Sequence, residues 1–121
     1  MPTSGVKRDT RPIGWVRAAR KDFDRFPNPV RDRINAALTI AAEGRKADIA
    51  KPMKGLGSGV MEVALRYQAD AYRAVYSVEI AGSLWVLHAF QKKSKSGIKT
   101  PKAELDVIRE RLKRLKKELL G

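Results

Sequence analysis

Cysteine is absent from this chain and histidine occurs once, at His88. No disulfide framework and no thiolate metal site is therefore available, and a reducing compartment fits the composition. One histidine without cysteine also leaves no ligand set for a structural zinc ion. Long apolar runs are missing too, and none approaches the roughly 20 residues of a membrane span. The opening Met1–Pro12 has no apolar stretch of the signal-peptide kind, so the expectation is a cytoplasmic protein with no membrane partner.

Acidic residues are the next scarcity. Thirteen Asp and Glu face 26 Lys and Arg, a net charge of +13 over 121 residues. A field of that size captures polyanions and speeds their arrival; nucleic acid is the usual partner, an anionic membrane the rarer one. It also exceeds the range that solubility alone calls for in a small domain. Hydrophobic residues at 43% suffice for one packed interior, and the length suits a single domain.

Met1–Pro12 mixes Pro, Thr, Ser, Gly and charge without period and reads as a flexible basic tail ahead of one domain, 13–121. Ile13–Val16 reads as a short strand and Arg17–Phe26 as a helix, with Phe23 and Phe26 on one face. Pro27-Asn28-Pro29 ends that helix and opens the next, with Asn28 as cap; Ile34, Ala37, Leu38 and Ala41 keep helical spacing until Gly44. Arg45–Gly59, with Pro52 and three glycines, reads as a loop. Val60–Tyr67, Tyr72–Ile80 and Ser83–Gln91 then alternate as strands, joined by the turns Gln68–Ala71 and Ala81-Gly82 into an antiparallel meander. Lys92–Thr100 is a basic Gly/Ser loop. Thr100 is placed to cap a last helix with Pro101 at its start and Leu105, Ile108, Leu112, Leu115 and Leu119 as its apolar stripe. The fold class is α+β, in the order β-α-α-β-β-β-α.

Residues two apart on a strand share a face. With Met61, Val63 and Leu65 inward, Glu62, Ala64 and Arg66 face the other way, and Arg73, Val75, Ser77 and Glu79 join them. On the third strand Trp85, Leu87 and Ala89 would face the core, with Val86, His88, Phe90 and Lys92 opposite. That parity gathers Arg66, Arg73, His88, Phe90 and Lys92 on one region of one face, and a one-residue slip would scatter them. The following loop adds Lys93, Lys95 and Lys99 with no acidic residue, which makes it the purer anion-binding element. The last helix carries seven basic and four acidic residues and reads as a solvated charged face.

Three segments in this order resemble a known family: Ala71-Tyr72-Arg73-Ala74-Val75-Tyr76, then Val86-Leu87-His88-Ala89-Phe90-Gln91-Lys92-Lys93-Ser94, then Thr100-Pro101-Lys102-Ala103-Glu104. They are similar to the phage-derived HigB-like branch of the RelE/ParE toxin superfamily, over roughly residues 12–118. The resemblance implies a RelE-like fold, a twisted antiparallel sheet with two N-terminal helices on one side and a C-terminal helix. It implies the toxin of a type II toxin–antitoxin system that cleaves mRNA in the ribosome without metal or other cofactor. It further implies a cognate antitoxin, often of helix-turn-helix type, through which the pair reaches operator DNA. ParE-like relatives bind gyrase instead, so a non-catalytic toxin aimed at a protein is the alternative, and a phage nucleic-acid-binding accessory protein a third.

Cleavage of RNA by its own 2′-hydroxyl requires a base for that proton, cations for the crowded phosphate and an acid for the leaving 5′-oxygen. Arg73 matches the family's Tyr-Arg arginine and suits a phosphate, or pairs structurally with Glu62 or Glu79. Arg66 is a possible second clamp. His88 is the residue whose unperturbed titration suits proton transfer near neutrality, although a lone strand histidine is often structural. Lys92 joins Arg73 and His88 as a catalytic candidate; Arg66, Phe90, Lys93, Lys95 and Lys99 are RNA-binding candidates, with Phe90 either stacking on a base or packing under the last helix. RelE-type members carry lysines where this chain has Glu62 and Ala64, so their lysine base does not transfer. Glu62 is either a base or a partner of Arg66 or Arg73.

Overall fold

The computed structural model describes residues 10–92 and 99–121. Its elements are β1 (Ile13–Trp15), α1 (Arg17–Phe23), α2 (Asn28–Ala42), β2 (Ala50–Pro52), β3 (Val60–Tyr67), β4 (Asp70–Ile80), β5 (Ser83–Lys92) and α3 (Lys102–Leu120). The strands form one sheet in the order β1-β5-β4-β3-β2. β2 to β5 pair antiparallel, while β1 lies parallel to β5, so the sheet is mixed where a purely antiparallel one was expected. β2 corrects the reading of Arg45–Gly59 as loop throughout. A three-residue strand ending in proline gives no periodic signal, and proline is tolerated at a sheet edge, where β2 sits.

Two apolar layers sandwich the sheet. On one side α1 and α2 bring Phe23, Val30, Ile34 and Leu38 onto Val63, Tyr72, Ala74, Tyr76 and Val86. On the other, α3 lays Ile108, Leu112 and Leu115 on Val60, Val75, Leu87 and Phe90. The α3 stripe is thus apolar as the spacing required, except that Leu119 lies exposed at its end.

Strand parity holds along β3 and breaks in both β4 and β5. In β4, Tyr72, Ala74, Tyr76 and Val78 pack toward α1 and α2 as expected, but Ile80, past an irregularity between Ser77 and Ile80, packs toward α3. Val75 pairs with His88 but Tyr76 pairs with Val86, leaving Leu87 as the extra residue of a β-bulge. Leu87 and His88 therefore both belong to the α3 side. The expected inward set Trp85, Leu87 and Ala89 is corrected accordingly: Leu84, Val86 and Ala89 pack toward α1 and α2, Trp85 and Leu87 toward α3.

The helix starts differ from expectation as well. Neither Asn28 nor Thr100 caps: Pro27 and Pro101 occupy the cap positions with no side-chain cap bond. Asn28 Oδ1 accepts from Arg31 instead, and the Thr100 hydroxyl is spent on Glu62. The β3–β4 turn is tighter than Gln68–Ala71. Tyr67 pairs with Asp70 across Gln68 and Ala69, both at positive φ (50° and 73°).

Candidate functional site

The α3 side of the sheet carries three cross-strand rows. Glu62, Val75 and His88 form one; Ala64, Arg73 and Phe90 the next; Arg66, Ala71 and Lys92 the last. The sheet thus brings together the five strand residues singled out by parity. It does not leave them on an open face, because α3 crosses the first two rows.

Arg73 is buried beneath the start of α3. Its Nη1 donates to Glu62 Oε2 at 3.1 Å and to Thr100 Oγ1 at 3.3 Å, and the Thr100 hydroxyl donates to the same Glu62 oxygen at 2.8 Å. This triad ties β3, β4 and the approach to α3 together. Of the two readings of Glu62, partner of arginine is the one the geometry shows.

His88 is engaged at both ring nitrogens. Arg111 Nη1 lies 3.1 Å from Nδ1 and also donates to the Leu87 carbonyl at 3.0 Å. A guanidinium only donates, so Nδ1 must accept and the ring proton sits on Nε2. Nε2 lies 2.6 Å from Glu104 Oε1 and donates to it. The imidazole stacks on Phe90, centroids 4.9 Å apart. Burial pushes the Arg111 guanidinium down from its ordinary value; Asp22 and Glu104 oppose that shift and Arg114 adds to it. Neither Arg111 nor Glu104 stood among the candidates. The available signal was the helical spacing of Glu104, Ile108, Arg111 and Leu115, which puts both charges within the buried stripe.

Phe90 is 7% exposed and packs under α3, so its ring face is closed to a nucleobase in this conformation. Of the two readings of Phe90, packing under the last helix is the one the geometry shows. Arg66 is exposed, and Lys92 Nζ donates to the Lys99 carbonyl at 2.6 Å, which folds the basic loop's end back onto β5. Arg66, Lys92 and exposed Lys99 make a basic rim just beyond the start of α3. Lys93 and Lys95, and most of the predicted N-terminal tail, lie outside the described residues.

A cleft of about 330 Å³ opens beside β5 where β1 has ended, lined by Asp22, Arg25, Phe26, His88, Phe90 and Glu104 among others. Among the described residues no cluster of His, Asp or Glu could hold a metal ion, and no helix is long and apolar enough to cross a membrane.

Solved structures that share this architecture include RelE toxins. A mutant of the E. coli toxin RelE in the free state superposes with a TM-score of 0.60 at 19% identity, covering 88% of this chain and 98% of RelE. The isolated E. coli RelE toxin gives 0.55 at 18% identity, covering 87% and 98%. The chain therefore has a RelE-like fold. No curated protein sequence matches it. The family model for phage derived protein Gp49-like matches residues 21–113, which span α2, all of β2 to β5 and the first half of α3, and the chain belongs to that Gp49-like family.

Proposed function

We propose that this protein is the toxin of a type II toxin–antitoxin pair and acts as a metal-independent endoribonuclease on ribosome-associated mRNA. The observation that carries the reading is the basic rim of Arg66, Lys92 and Lys99 on the same side of the sheet as His88, on a RelE-like fold with a net charge of +13. Cations at the ends of β3 and β5 and in the loop before α3 suit phosphate, and a cleft with titratable groups suits proton transfer to or from a ribose. Buried Arg73 serves the site by holding Glu62 and Thr100, so that the first turn of α3 is fixed over His88. An antitoxin, of the helix-turn-helix kind, would neutralise the activity and carry the pair to operator DNA.

The test is induced expression in a bacterial host. Wild-type protein arrests growth with loss of intact message, and Arg66→Ala/Lys92→Ala relieves both. Growth arrest that survives in the double variant would overturn the assignment of the basic rim.

A further inference from the structure

We infer that Glu104 is the general base of the reaction and that His88, the obvious candidate, positions it from behind. The inference rests on the endoribonuclease reading above and names the group that reading lacks. His88 cannot take a proton from substrate in this arrangement: Nδ1 is occupied by Arg111 and Nε2 already carries a proton donated to Glu104. Its side chain is 7% exposed, against 31% for Glu104. The carboxylate is thus the member of the pair that reaches the cleft, and the histidine is the member that orients it.

The chain of hydrogen bonds runs from Arg111 through the ring of His88 to Glu104. The guanidinium fixes the tautomer, the Nε2–H···Oε1 bond of 2.6 Å fixes one carboxylate oxygen, and the other oxygen is left to accept a proton. Around it Asp22 and Arg25 supply charge of both signs, and the edges of Phe26 and Phe90 supply an apolar wall. A ribose at the mouth of the cleft, its phosphate on the basic rim, would present its 2′-hydroxyl to Glu104.

In the step itself Glu104 takes the 2′-hydroxyl proton as the 2′-oxygen bonds to phosphorus. The bond from phosphorus to the 5′-oxygen breaks, and that oxygen takes a proton from water, whose hydroxide is neutralised by the proton on Glu104, restoring the carboxylate. The products are a 2′,3′-cyclic phosphate and a 5′-hydroxyl end, with no change of oxidation state.

The test uses purified full-length protein, ribosomes programmed with a short mRNA, and the same mRNA made uncleavable by a 2′-deoxy residue at the cut site. Glu104→Gln is isosteric and still accepts from His88, so its fold is preserved. It should lower the single-turnover rate by about 100-fold or more, with affinity for the 2′-deoxy mRNA unchanged. His88→Leu, which gives Glu104 no donor, should lower the rate with the same unchanged affinity, and His88→Gln, which restores a donor, should recover most of it. Cleavage by Glu104→Gln at the wild-type rate would overturn the base assignment and leave the nuclease reading standing. Loss of affinity in step with rate would make Glu104 a binding residue and overturn it equally. Full activity of His88→Leu would refute the positioning role. No cleavage by wild type would overturn both readings together.

Discussion

Replacing Arg73 by alanine should cost stability before it says anything about catalysis. Its side chain is 8% exposed and bridges Glu62 and Thr100, with Glu62 at 16%. Truncation removes a hydrogen bond between charged groups, worth about 1.5–3 kcal/mol, and strands a mostly buried carboxylate. The lost packing of the arginine stem under α3 adds to this, so a total of about 3 kcal/mol is expected. For a domain of this size that lowers Tm by on the order of 10 °C. Urea unfolding followed by far-UV circular dichroism measures it, with Glu62→Gln and the double variant completing a cycle. The cycle should give a coupling of about 1–2 kcal/mol, because the pair shares one hydrogen bond. A fall below about 0.5 kcal/mol for Arg73→Ala, the range of ordinary surface changes, would refute the buried triad and reopen Arg73 as a solvent-facing phosphate clamp.

Other features give independent checks. Ala69 holds φ 73° in the two-residue β3–β4 turn, a conformation that favours glycine. Ala69→Gly should therefore stabilise by about 0.5–1 kcal/mol in chemical denaturation, and a loss of stability would contradict the turn. A Cβ on Gly14 would stand 2.8 Å from the Trp85 indole, so Gly14→Ala should displace that ring, visible as a change in tryptophan fluorescence with lowered Tm; an unchanged spectrum would argue against the β1–β5 pairing. Burial raises the Tyr76 phenol above its ordinary value of 10.0, and Tyr72 shifts the same way, by burial first. Their stabilisation is complete below the unfolded value and falls as pH rises through the higher folded values. Tyr76→Phe should flatten the alkaline loss of stability in urea titrations above about pH 10, and an identical pH profile would count against its burial.

Much of the site was legible because a strand has a period of two. Arg66, Arg73, His88, Phe90 and Lys92 share a side of the sheet as parity required, even though a bulge at Leu87 intervenes. The bulge put Trp85, Val86 and Leu87 on the sides opposite to those expected and left His88 onward in place, because the extra residue falls at Leu87. What lies over a face is not a local property. The passage of α3 across the sheet, which buries Arg73, His88 and Phe90 and recruits Arg111, follows from tertiary packing that no window of sequence encodes. β2 escaped, and the β3–β4 turn was read two residues too long, for a simpler reason: neither carries the glycine or the alternating apolar residues that fix such elements.

The proposed activity is cleavage of message through the ribose 2′-hydroxyl. Sequencing of transcript ends after induction, with capture selective for 5′-hydroxyl termini, tests it most directly. The account predicts new 5′-hydroxyl ends inside coding regions within minutes of induction, absent in Glu104→Gln cells. Growth arrest with every transcript intact, or ends bearing 5′-phosphate alone, would contradict it.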